Sequence, residues 1–144
     1  MKRANLENLV RIGQLKAEPP SRVEVAGLMR SGLRRLQDAE NDTLNLESRF
    51  DLAYNAAHAL ALAALRCCGF RSDNRYRVFQ CLAHTLELPN DQWRVLDQAH
   101  RKRNLAEYEG VVDVDVALVE AIIRVTREMD RRLADLTLPE DGPH

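Results

Sequence analysis

The chain has 144 residues, 45% of them hydrophobic and 30% charged, with a formal net charge of -1 at pH 7. That suits one globular domain with a sizeable core, and the global charge predicts no polyanion partner. Aromatic residues make up only 5%, with six glycines and five prolines, while Leu, Ala, Arg and Glu abound; this excludes a sheet-dominated fold and predicts an all-α domain.

The first predicted helix runs from Asn5 to Lys16, with Leu6, Leu9, Val10 and Ile12 as its apolar side and Gly13 interrupting it. Pro19-Pro20 stops any helix there. Residues 1-18 read as an N-terminal arm of a single domain spanning 1-144. Ser21 and Glu24 have capping-box spacing and open a helix to about Gln37, with Val25, Leu28, Met29 and Leu36 inward. Asp38 to Thr43 is a polar loop. Leu46, Phe50, Ala53, Ala57, Leu60, Ala64 and Cys67 then step by four and three, which marks one face of a long helix. Its small residues allow another helix to approach closely, and Gly69 suits a left-handed C-cap.

Ser72 is placed to cap a helix to about Leu86, carrying Tyr76, Phe79, Leu82 and Ala83. Asn90 is placed to cap the next, from Asp91 to about Glu109, and Gly110 ends it. The last helix covers about Asp113 to Leu136, with Val116, Val119, Ile122, Ile123 and Met129 inward. Residues 138-144 read as a disordered tail. Helices joined by short loops fit an antiparallel bundle of about five to six members.

Cys67, Cys68 and Cys81 form an odd set with no C-x-x-C spacing, so neither a disulfide framework nor a zinc site is implied, and a reducing cytoplasm fits. The N-terminus lacks the apolar core of a signal peptide, and the most apolar run is broken by His58 and Arg66 and is too short to span a bilayer. No Gly-rich phosphate loop, H-E-x-x-H or serine elbow is present, and no cofactor or metal is expected.

One stretch breaks the pattern: HRKRNLAEYEG, His100 to Gly110. On a helical wheel, His100, Asn104 and Glu107 fall within about 40° of the inward Trp93, and Arg103 and Tyr108 flank them. An inward polar cluster is costly unless it is paired or lines a cleft. It therefore marks either a functional cleft or a packing network in which Arg103 pairs with Glu107 one turn on. The candidate ligand-binding residues are Arg103, Asn104, Glu107 and Tyr108. The candidate catalytic groups are Arg103, His100 and Tyr108. Arg71, Arg75, Arg77, Arg94, Arg101 and Lys102 are the candidate basic rim, since eight Lys/Arg face four Asp/Glu between Arg66 and Arg103.

The long helix SRFDLAYNAAHALALAALRCCGFR, the shorter RVFQCLAHTL and the Arg103-Asn104-x-x-x-Tyr108 element together resemble the HEPN family (higher eukaryotes and prokaryotes nucleotide-binding domain), over roughly Leu46 to Leu136. The resemblance implies an up-and-down helical bundle, commonly a homodimer. Active members cleave RNA without metal, using an Arg-(four to six residues)-His motif from each copy, and many work in toxin–antitoxin or defence systems beside a nucleotidyltransferase. Carried over, the motif arginine is Arg103, the polar residue after it is Asn104, and Tyr108 stands where the histidine is usually found. No histidine occurs from Arg101 to Pro143. Tyrosine, with an ordinary pKa near 10, is a poor base at neutral pH, whereas arginine holds phosphate but moves no proton. The resemblance thus implies a binding module for a nucleotide, RNA or a partner protein. A metal-free ribonuclease using His100 or Tyr108 is the alternative, and an interaction protein without a ligand is the third reading.

Overall fold

A computed structural model describes residues 2-110 and 113-136. The fold is a bundle of α-helices with one two-stranded ribbon: α1 (Arg3–Arg11), β1 (Lys16–Ala17), α2 (Arg22–Ala39), α3 (Leu46–Cys67), β2 (Phe70–Arg71), α4 (Arg75–Gln80), α5 (Leu82–Thr85), α6 (Asn90–Glu109) and α7 (Val116–Ala134). The expected tail at 138-144 lies outside the described residues.

α3 is the centre, with α2 and α7 lying along it and α4, α5 and α6 touching it. Twelve of its residues are buried, from Phe50 to Arg66, on every side of the helix. Seven of the twelve are alanines, so its neighbours come close. At Gly32 on α2 a Cβ would sit 3.0 Å from a Leu60 methyl and 3.2 Å from Ala59, which is why α2 carries glycine there. Gly69 ends α3 at φ +91, as its position after the last apolar step predicts.

The caps follow short-range rules with two shifts. Ser21 accepts from the Glu24 amide as the capping box predicts. The cap of α4 is Asn74, which accepts from Arg77 N at 2.9 Å, while Ser72 binds the Asn74 amide. The helix expected from Ser72 to Leu86 is instead two short ones meeting at Cys81. Asn90 lies inside α6 rather than capping it, because Pro89 takes the cap position. Asp115 caps α7 through the Leu118 amide, and Val116, expected inward, is 49% exposed.

The N-terminal segment differs most from its expected form. α1 stops at Arg11 and Gly13 turns the chain at φ +80, leaving Ile12 in solvent. The released residues form β1, paired antiparallel to β2 with Lys16 opposite Arg71 and Ala17 opposite Phe70. Arg66, at 1% exposed, locks this junction. Its guanidinium donates to the carbonyls of Glu18 at 3.0 Å, Pro19 at 2.8 Å and Phe70 at 3.2 Å, and pairs with the Glu24 and Glu18 carboxylates. Arg71 pairs with the same two glutamates. The side chain that interrupts the most apolar run therefore fastens the diproline connector to the end of α3.

Candidate functional site

α3, α4 and α6 bring a polar cluster together at one side of the core. Tyr54 and His58 lie one turn apart on α3. Tyr54 is 1% exposed, packed edge-on to Phe79 and stacked on Phe50. α6 is held against α4 by Trp93, whose indole N–H donates to the Phe79 carbonyl at 3.0 Å. That contact carries His100, two turns further along α6, onto Tyr54. The Tyr54 Oη and His100 Nδ1 are 2.9 Å apart, and the Asn104 amide nitrogen is 3.1 Å from Nε2. With Asn104 donating to Nε2, the ring proton sits on Nδ1 and is given to Tyr54 Oη. The phenol then keeps its own proton. Tyr76 stacks on the imidazole at 5.1 Å between ring centres.

Two guanidiniums converge on this hub. Arg103 lies over the Tyr54 ring at 5.0 Å and Arg75 at 5.7 Å. Arg75 also donates to Asn55 at 3.0 Å, and Arg103 faces Glu107 at 3.5 Å, an exposed pair worth little in water. A buried aromatic ring with cations on it is a stiff mount, because the ring fixes where the charges stand. Burial pushes the Tyr54 phenol up, and the two arginines oppose this. Burial pulls His58 down to about 4, and the charges of Arg75, Arg103 and His100 add to it. Burial and Arg103 likewise lower His100, against Asp97. Both imidazoles are thus neutral at pH 7, in a site whose fixed charge is positive. Two guanidiniums so placed carry the donors for charge-assisted hydrogen bonds to an anion.

Compared with known proteins, the chain matches no family model, no curated protein and no solved structure. The site must speak through its own residues.

Of the predicted residues, His100, Arg103 and Asn104 meet there, with Asn104 exposed at the edge. Glu107 is exposed beside Arg103, and Tyr108 is 92% exposed, away from the hub. The polar stripe on α6 therefore enters the core only at His100 and Arg103. Most side chains of the predicted basic rim are engaged with partners. Arg75 belongs to the hub, whereas Arg71 is taken up by Glu18 and Glu24. Arg77 binds Gln80, Arg101 pairs with Asp97 at 3.1 Å and Lys102 reaches Asp113 at 3.8 Å. Arg94 is exposed and meets no carboxylate among the described residues.

Sequence reasoning missed Tyr54, Asn55 and His58. A signal was present: a tyrosine and a histidine one turn apart, with an asparagine beside them, in the most alanine-rich helix of the chain. Among the described residues no cluster of His, Cys, Asp or Glu is arranged to hold a metal ion, and no helix is long and apolar enough to cross a membrane.

Proposed function

We propose that this chain is a HEPN-like binding module that holds the phosphate of a nucleotide or RNA between Arg75 and Arg103, on the face of Tyr54. The observation that carries the reading is the convergence of two guanidiniums from different helices on one buried ring, neither paired with a buried carboxylate among the described residues. Arginine offers a planar fork of donors that matches phosphate. The family reading adds a cytoplasmic homodimer and a nucleotidyltransferase-type antitoxin partner. The exposed Asn104, Glu107 and Tyr108 at the end of α6 would belong to such a protein contact.

The test is fluorescence anisotropy with a short labelled oligoribonucleotide and with adenosine monophosphate. Arg75→Ala and Arg103→Ala should each weaken binding at least about tenfold, equivalent to about 1.4 kcal/mol. The melting temperature should stay near that of the parent, since both side chains are partly exposed. Loss of stability with unchanged binding would assign the two arginines to packing alone.

A second reading, metal-free RNA cleavage, has one observation in its favour: two neutral imidazoles lie beside the arginine pair. His100 has both ring nitrogens engaged, while His58 hydrogen-bonds to none of the described residues and is the freer proton acceptor. Cleavage in EDTA that disappears in both Arg103→Ala and His58→Gln would establish it. A folded protein that binds RNA and leaves it intact would retain the binding module.

A further inference from the structure

A second charged feature lies on α2, apart from the hub. A groove of about 440 Å³ runs between α2 and α3, lined by Gly27, Arg30, Ser31, Arg34, Asp38 and Leu52. Arg30, Arg34 and Asp38 are four residues apart in succession, so they form one ridge along the helix with the charge order plus, plus, minus. Gly27 and Ser31 form the adjacent row of small residues. Arg35 also lines the groove and is held by Ser31, through its carbonyl and hydroxyl. Arg30 and Arg34 pair with no carboxylate among the described residues, and like charges one turn apart weaken a helix.

Gly27 is the second observation. Glycine is the worst helix former after proline, and Gly32 on the same helix is explained by its contact with Leu60. Gly27 is not explained in this way. A Cβ built there meets nothing within 4 Å, and its backbone is ordinary helix. Among the described residues nothing needs the side chain to be missing. The missing side chain leaves the groove floor open at this point.

We propose that the α2 groove docks an acidic amphipathic helix of another protein. Its backbone would rest on Gly27 and Ser31, an apolar side chain would cover Leu52, and its charges would run minus, minus, plus at four-residue intervals opposite Arg30, Arg34 and Asp38. The carboxylate of Asp38 after the two arginines argues against nucleic acid. A phosphate backbone carries one sign throughout and would meet the Asp38 carboxylate, and no aromatic side chain lines the groove for bases to stack on. Two helices at a small-residue contact approach to the near end of the usual interaxial range, which opposes the charges of one ridge to those of the other.

The experiment is selection of a displayed library of helical peptides on the purified chain, followed by titration of the enriched peptides against three proteins. These are the parent, Arg30→Glu/Arg34→Glu, and Gly27→Leu. Enriched peptides should carry two acids and then a base at four-residue spacing. Both variants should weaken them at least about tenfold, as steric filling and charge reversal at a small interface do. Gly27→Leu should at the same time raise the melting temperature, because a better helix former enters open space. That opposition separates a docking surface from mere loss of fold. The proposal is overturned if no peptide is enriched, if the enriched peptides lack the acidic pair, or if they bind both variants as they bind the parent. It is also overturned if a single-stranded oligoribonucleotide binds the parent in a manner lost in Arg30→Glu/Arg34→Glu, which would make the occupant nucleic acid.

Discussion

Arg66→Met should lower the free energy of unfolding by about 2–3 kcal/mol, the order expected when buried and half-buried acceptors lose a charged donor. The side chain is 1% exposed and holds five groups at once: three backbone carbonyls and two carboxylates. Methionine fills much of the volume but offers no donor, so the carbonyls of Glu18 and Pro19 at the edge and of Phe70 in the interior lose this partner. The glutamates suffer less, because their side chains are 47% and 32% exposed and can return to water. Arg66→Lys should recover only part of the loss, since one ammonium cannot replace a fork that reaches β2 and the connector together. Urea denaturation of the three proteins measures this. A change under about 1 kcal/mol would mean that the diproline connector is held by something else.

The sign with pH follows from Glu24. Burial raises its carboxyl, but hydrogen bonds from Arg66 and Arg71 outweigh this and hold it below the ordinary value of 4.5. Its contribution is complete at neutral pH and is lost as the pH falls through the depressed value.

His58 should govern a larger and earlier acid effect. Its ordinary value is 6.5 and burial brings it to about 4, so the unfolded chain binds a proton that the folded chain refuses. Stability is full above about 6.5 and falls as the pH drops through this window. At 1.36 kcal/mol per pH unit the interval gives about 3 kcal/mol, which partial exposure of the ring reduces to about 2 kcal/mol. His100, shifted in the same direction, steepens the same limb. His58→Gln keeps a polar side chain and cannot take up a proton, so its loss of stability from pH 6.5 to 4.5 should be clearly shallower than the parent's, with the part due to His100 remaining. Thermal melts at half-unit intervals would show it, and an unchanged acid limb in the variant would place the proton uptake elsewhere.

Much of this was legible from residue spacing, and what was not has a physical cause. The four-and-three step from Leu46 to Cys67 marked α3, because a buried helix states its face every turn. The capping box at Ser21 was legible as well, but the side chain of Glu24 goes to Arg66 and Arg71 on the far side of the chain. Local rules cannot see a partner more than forty residues away. The wheel of α6 gave the direction of His100 and Arg103 correctly. It placed Asn104 and Glu107 inward too, because a wheel records angle and not where the neighbouring helix stops. The last turns of α6, with Glu107 and Tyr108, lie in solvent. Arg75 was readable only as one arginine among many. Its position over Tyr54 depends on how α4 is set against α3 by Phe79 and Trp93.

The most direct test of the phosphate site is a chemical-shift titration of isotope-labelled protein with adenosine monophosphate, following arginine side-chain N–H and histidine ring signals. The account predicts that Arg75 and Arg103 shift together and saturate at one ligand concentration, with His100 moving alongside through Tyr54. Shifts confined to other arginines, or none at any concentration, would contradict it.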